Sequence, residues 1–179
     1  IRSLLGLSLV KHKQYKNKKA LHLAALANKK VTSYATSDTS LYLSTQERYI
    51  QALLWNRKFS SAKRELHQLR TQYPDNSGVL ALQATYGMYT SRFTTSIAKY
   101  QDILRKDTAS FDGNLGIANA YRAAGQVKQA YAYAFKTLAI YPKQQDAEKL
   151  INTLKRSHTP FVEAKTAFTF DNGDNEAIT

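Results

Sequence analysis

Cysteine is absent from this chain, which excludes a disulfide framework and any thiolate metal site; the absence fits almost any compartment, an oxidising space such as the bacterial periplasm included. Long apolar runs are missing as well. None reaches the ~18 residues that a membrane-spanning helix requires. Acidic residues are scarce, 13 against 26 Lys and Arg, for a net charge of +13, and none precedes Asp38. The chain opens on Ile1 without a charged-then-apolar leader, so the expectation is a processed product or a piece of a longer chain. Enzyme constellations are equally hard to find. His12, His22, His67 and His158 share no metal-ligand spacing, and neither HExxH nor a glycine-rich phosphate loop occurs. The oxygen-bearing Asp171, Asp174 and Glu176 miss the spacing of a twelve-residue calcium loop. The expectation is a non-enzyme with no cofactor and no metal.

What is present is a period. In three frames of 34 residues beginning at Leu43, Ser77 and Phe111, the same column types recur without a gap. Column 17 holds Phe59, Phe93 and Val127, and column 20 holds the small residues Ala62, Ser96 and Ala130. Column 24 holds Leu66, Tyr100 and Ala134; column 27 holds Leu69, Ile103 and Thr137. Pro74 and Pro142 close the first and third frames. A period of this length marks a solenoid or array of supersecondary units. Each frame reads as two antiparallel helices, spanning roughly 43–56 and 60–72, 77–90 and 94–106, and 111–124 and 127–140. Asp38 or Ser40, Asn76-Ser77 and Ser110 are candidate caps, and Gly125 lies where an inter-helix turn needs a left-handed residue.

The flanks divide into three. Residues 1–42 read as a degenerate helical hairpin followed by a Ser/Thr-rich connector, with the hairpin turn near Lys13 to Asn17 and Tyr15 taken as column 17. Residues 143–159 supply one more amphipathic helix, a solvent-facing cap on the three units of 43–142. Beyond Pro160 the helical period gives way to alternation, FVEAKTAFTF, then Asn172-Gly173, so 160–179 read as a β-strand and hairpin.

In its third frame the repeat carries Ala118, Tyr121, Gly125, Ala130 and Pro142. This pattern resembles the tetratricopeptide repeat (TPR) family. The resemblance implies an all-α, right-handed solenoid whose concave groove is lined by the first helix of each unit and holds a protein partner. On this sequence the groove would present Gln51, Leu54 and Trp55, then Thr85, Met88 and Tyr89, then Asn119 and Arg122. Trp55 has an alternative role in packing against Phe59 or the next unit. Asn119 falls where the chaperone-binding members keep an asparagine of their carboxylate clamp; the accompanying lysines are absent, so the clamp is not carried over.

A TPR array handed directly to an alternating strand also resembles the outer-membrane proteins of Gram-negative exopolysaccharide export, in which a periplasmic TPR region precedes a β-barrel. That resemblance implies a periplasmic or outer-membrane location, with Val162, Ala164, Phe168 and Phe170 facing lipid. A second surface is the cluster Lys11, Lys13, Lys16, Lys18 and Lys19, suited to an anionic polysaccharide or an acidic partner. Nucleic acid is the disfavoured anion, because aromatic residues sit mostly at core columns instead of among the lysines. The competing readings are a soluble cytoplasmic TPR adaptor that binds a protein tail and a basic helical-repeat RNA binder.

Overall fold

The computed structural model describes residues 1–31 and 38–158. They form α1 (Arg2–Lys13), α2 (Asn17–Val31), α3 (Thr39–Trp55), α4 (Phe59–Gln72), α5 (Ser77–Tyr89), α6 (Phe93–Lys106), α7 (Phe111–Ala123), α8 (Val127–Ile140) and α9 (Gln145–His158). Each helix packs on the next, and each odd-numbered helix also touches the next odd one. Among the described residues this is an all-α solenoid of helix pairs, with α9 packed on the last pair. The strand and hairpin expected at 160–179, and most of the connector, lie outside the described residues.

Side-chain caps start three of the first helices. Asp38 accepts from Leu41 N–H at 2.9 Å, Asn76 from Val79 N–H at 3.2 Å and Ser110 from Gly113 N–H at 3.2 Å. Because Asp38 is the cap, α3 begins a full turn earlier than the repeat frame suggests. The second helices α4, α6 and α8 have no side-chain cap hydrogen bond. Their entry is fixed by the turn inside each pair. Tyr15, Arg57, Ser91 and Gly125 all take positive φ, between 57° and 74°. The following N–H closes a six-to-one bond onto the first helix: Lys16 to Lys11 O, Lys58 to Leu53 O, Arg92 to Gly87 O and Gln126 to Tyr121 O, at 2.8–2.9 Å.

That shared turn corrects the register of the first pair. Tyr15 occupies column 15 with Arg57, Ser91 and Gly125, not column 17. Ile1 is then column 1, and Ser8, Ala20, Ala24 and Ala27 fall in columns 8, 20, 24 and 27, all buried. Ser8 Oγ donates to Ala20 O at 2.9 Å across the crossing of α1 and α2. In the second repeat frame the same crossing is made with the columns exchanged, Ser96 Oγ donating to Ala84 O at 2.8 Å. Leu43 follows Ile1 by 42 residues, eight more than one period, so the connector insertion is shorter than the sequence spacing of aromatic residues implies.

Burial is organised between units. One core cluster joins Ile50, Leu53 and Leu54 of α3 and Leu66 and Leu69 of α4 to Val79 and Leu82 of α5. The next joins α5 and α6 to Ile117 and Ala120 of α7, and the third joins α7 and α8 to Leu150, Ile151 and Leu154 of α9. Each pair thus completes its core only when the next first helix covers it, the arrangement expected of a solenoid.

Close helix approach sets the expected cost of added volume. A methyl group on Gly116 would overlap the Tyr100 ring of α6, whereas one on Gly6 meets nothing within 4 Å. Gly116→Ala should therefore destabilise the chain by about 1–3 kcal/mol, and Ala130→Phe, at a fully buried crossing, by a similar amount or more. Gly6→Ala should leave stability unchanged or raise it by up to about 1 kcal/mol, through helix propensity. Urea denaturation of the three variants checks this order. Equal stability of Gly116→Ala and the parent would refute the packing described for α6 and α7.

Candidate functional site

The first helices α3, α5 and α7 present one face to a common cleft of about 260 Å³. Columns 5, 9 and 12 supply much of its wall, because residues three and four apart share one side of a helix. Of the residues expected in a groove, Gln51, Thr85, Met88 and Asn119 line it together. Leu54 does not. It is fully buried in the core cluster that Leu21 of α2 also packs against, so the first pair covers this column of α3. Arg122 is exposed on the end of α7 and does not line the cleft.

Trp55 and Tyr89 form a separate group at the α1 side. Trp55 stacks face to face on His12, with ring centroids 3.6 Å apart and planes 2° from parallel. The Arg48 guanidinium carbon lies 5.7 Å from the same ring centre, within cation–π range. Asn17 ties the group to the hairpin turn: its amide oxygen is 2.8 Å from His12 Nδ1, and its Nδ2 donates to Trp55 O at 3.4 Å. Trp55 is therefore a packing residue between α1 and α3 more than a free platform. Tyr89 is 43% exposed, and its hydroxyl contacts the Trp55 side chain. Desolvation by burial is the chief reason that the Tyr89 phenol pKa lies above its ordinary value, and the Trp55 contact opposes the rise.

The cleft also holds two carboxylates that column reasoning passed over, Glu47 from α3 and Asp112 from α7. Both occupy the same helix faces as the expected residues, one or two turns nearer the N-terminus, which is the signal that could have found them. A polar ladder runs along α3: Gln51 Nε2 donates to Glu47 at 2.9 Å, and Arg48 donates to Gln51 Oε1 at 2.8 Å. Asn119 Nδ2 donates to Leu115 O at 3.0 Å. Desolvation in the cleft is the largest cause that raises the Glu47 pKa; Asp112 raises it further, while Arg48 and the Gln51 hydrogen bond oppose the shift.

The lysines gather at the other surface. Lys13, Lys16, Lys18 and Lys19 are exposed, and Lys11 is half-buried with its ammonium 3.4 Å from Gln14 Oε1. Lys16, Lys18 and Lys19 share a shallow depression with Tyr15 and Arg57. Tyr15 is 94% exposed, so one aromatic ring does stand among the cations, contrary to the sequence expectation. A wider groove of about 560 Å³ between α4 and α6 adds Lys63, Arg64 and Arg70 to the basic surface. Among the described residues no group of three or more His, Cys, Asp or Glu could hold a metal ion, and no helix is long and apolar enough to cross a membrane.

The Glu47 shift has a sign that can be tested. A carboxyl whose folded pKa exceeds its ordinary 4.5 contributes stability below that pH and loses it as pH rises through the folded value. Glu47→Gln should gain stability relative to the parent on going from about pH 4 to about pH 7. Asp112→Asn should move the NMR-observed titration of Glu47 downwards. A Glu47→Gln stability difference independent of pH would remove desolvation as the governing effect.

Comparison with known proteins extends the architecture beyond this chain. No family model and no curated protein matches the sequence. Solved structures do match. A thermophilic TPR protein of Thermus thermophilus superposes with a TM-score of 0.69 at 13% identity, over 87% of this chain and 81% of that one. The TPR-like repeats of a putative kinesin light chain from Podosopora anserina give 0.59 at 16% identity, over 87% and 93%. A tetratricopeptide repeat protein from Parabacteroides merdae gives 0.55 at 12% identity, over 87% and 59%. With four internal turns of one geometry, core clusters bridging successive pairs and these structural likenesses, the fold is that of the tetratricopeptide-repeat solenoids.

Proposed function

We propose that this chain is a non-enzymatic docking scaffold that holds a segment of a partner protein in the cleft across α3, α5 and α7. One observation carries the reading: three successive first helices, held rigidly by the cores behind them, converge Gln51, Thr85, Met88 and Asn119 on one open cleft. At about 260 Å³ the cleft is smaller than the roughly 300–1,000 Å³ usual for a small-molecule site. A rigid wall of amides, a hydroxyl and a thioether suits an extended segment that brings backbone hydrogen bonds and small apolar side chains. Glu47 and Asp112 disfavour an acidic residue at the centre of that segment. The groove is thus distinct in its preference from the lysine-rich end. Fluorescence anisotropy with 12-residue peptide pools that differ only in central charge tests this. The neutral and basic pools should outbind the acidic pool, and Thr85→Arg should weaken binding by about tenfold or more. A preference for the acidic pool, or indifference to Thr85→Arg in a normally folded variant, defeats the reading.

For the biological setting we propose the periplasmic side of a Gram-negative outer-membrane polysaccharide export or secretion protein. Its support is the alternating sequence from Phe161 to Phe170 and the basic end, where the exposed Tyr15 ring stands beside Lys16, Lys18, Lys19 and Arg57. An exposed ring among cations suits an acidic sugar polymer, whose pyranose faces stack and whose carboxylates pair. Binding of alginate and of a single-stranded RNA across a salt series separates the classes. Salt-sensitive alginate binding that falls in Tyr15→Ala is expected. Stronger RNA binding with the same Tyr15 dependence would favour the basic RNA-binder reading instead, and absence of both would leave a cytoplasmic adaptor as the better setting.

A further inference from the structure

Second helices bury columns 21 and 28 under columns 7 and 10 of the next first helix. Ile97 and Leu104 of α6 share a core with Ile117 and Ala120 of α7. Tyr131 and Leu138 of α8 pack on the core that holds Ile151 and Leu154 of α9. Leu21 of α2 lies on the same core as Tyr49 of α3, and Asn28, a polar exception, accepts a hydrogen bond from Gln46 Nε2 at 2.8 Å. The interface of α4 with α5 breaks this rule in the interior of the array, with helix pairs packed on both sides of it. Its columns 21 and 28 are Lys63 and Arg70, and its columns 7 and 10 are Gln83 and Tyr86. These two helices pack less closely than any other consecutive pair among the described residues, and α4 and α6 both rest on α5 without touching each other.

The groove of about 560 Å³ between α4 and α6 is the result. Leu66 and Tyr86 form an apolar floor that the core of α3, α4 and α5 holds in place. α5 thus turns Thr85 and Met88 to the cleft and Gln83 and Tyr86 to this second surface. Lys63, His67 and Arg70 stand exposed along the α4 wall, with Thr95 on the α6 side. Among the described residues no hydrogen bond or ion pair engages these three basic side chains. The carboxylates of α4, α6 and the turn after α4 are taken by other cations: Glu65 by Arg64 at 3.1 Å, Asp102 by Lys99 at 3.0 Å and Asp75 by Lys106 at 2.9 Å. A departure from the repeat rule that leaves cations unanswered beside an apolar floor marks a surface shaped for a ligand.

Spacing and charge select the occupant. From Arg70 to His67 to Lys63 the wall rises by about 4.5 Å and then about 6 Å. An extended segment presents one face every ~6.7 Å and is out of step by the third side chain. Carboxylates at i, i+3 and i+7 of a helix antiparallel to α4 repeat the same intervals. A second copy of this chain offers no such helix, since none of the described helices carries three carboxylates. Asp171, Asp174 and Glu176 of the same chain are interrupted by the turn signal Asn172-Gly173. Nucleic acid lacks a stacking platform here, because the Tyr86 ring packs on the core instead of standing free.

We propose that the groove between α4 and α6 is a second docking site, for an acidic amphipathic helix of a partner protein. Apolar side chains of that helix rest on Leu66 and Tyr86, and its carboxylates meet Arg70, His67 and Lys63. The site is separate from the cleft across α3, α5 and α7 and does not depend on what that cleft binds.

The probe is a labelled, helix-forming peptide of about 18 residues, with Leu on one face and Glu at i, i+3 and i+7 beside it. A peptide of the same composition in scrambled order is the control. Anisotropy titration with the full chain should give saturable binding that weakens as salt rises. It should fall by about tenfold or more in the double variant Lys63→Glu, Arg70→Glu. Thr95→Trp, which fills the groove from an exposed position, should weaken it by a similar factor while the circular dichroism stays that of the parent. The double variant Lys13→Glu, Lys16→Glu makes the same change of net charge at the other basic surface and should leave binding within about twofold. No saturable binding overturns the proposal. Equal binding of the scrambled peptide, or an equal loss in the two double variants, does so too, because bulk charge then suffices. A rise in affinity when Asp171, Asp174 and Glu176 are replaced by their amides would assign the groove to the chain's own acidic residues instead. Single-stranded RNA that outbinds the peptide and is lost with Lys63 and Arg70 would overturn it in favour of nucleic acid.

Discussion

The close crossing of columns 8 and 20 governs the rest of this molecule. Two helices can share a tight turn and still run antiparallel only if their backbones approach at one point, and there Ser8 meets Ala20, Ala84 meets Ser96, and Ala118 and Ala130 are both wholly buried. At two of the crossings a serine hydroxyl returns a hydrogen bond to the opposite backbone carbonyl, so a polar atom at the tightest contact is satisfied without water. The bulky columns on either side then face the next unit, where they find the first helix of the following pair. Stability is consequently shared between neighbours and not held within any pair.

Much of this was legible in the residues themselves. A recurring small residue at column 20, followed by a larger one at column 27 in each of the three 34-residue frames, describes one sharp crossing repeated at fixed spacing. The caps Asn76 and Ser110 were legible for the same reason, since a short oxygen-bearing side chain before an apolar-periodic run has few other uses. At α3 the sequence left Asp38 and Ser40 as alternatives, and the bond from Leu41 N–H decides for Asp38. The first pair was harder to read. Tyr15 looks like the aromatic of column 17, yet Asn17 holds that column, and its amide spans His12 and the Trp55 carbonyl. Side-chain size at a single column is a weak guide when the backbone turn, closed by the bond from Lys16 N–H to Lys11 O, sets the register.

The site was legible by column but not by contact. Gln51, Thr85, Met88 and Asn119 follow from the repeat columns once the TPR resemblance assigns the groove to the first helix of each unit, and all four line one cleft. Trp55 on His12 joins residues 43 positions apart across an insertion, and no local pattern reports such a meeting. Leu54 failed for a related reason: whether its column faces the cleft or the core depends on how α2 leans on α3. Electrostatics were legible only in bulk. A chain of net charge +13 nonetheless places carboxylates in its cleft, since the position of each charge and not the total sets the local field.

Turn conformation decides where the surface chemistry lies. A left-handed residue costs roughly 1–2 kcal/mol when it carries a Cβ, and three of the four intra-pair turns use such residues, Tyr15, Arg57 and Ser91. They persist because the next N–H closes the same bond onto column 11 in every pair, so the turn is held by backbone and places little demand on the side chain. Column 15 is therefore free to vary in chemistry while its direction stays fixed, outward from the turn. The chain uses that freedom to stand a tyrosine ring, 94% exposed, among Lys16, Lys18 and Lys19, and an arginine at the neighbouring turn. The basic end owes its shape to a backbone device that the whole array shares, and only its side chains are particular to that end.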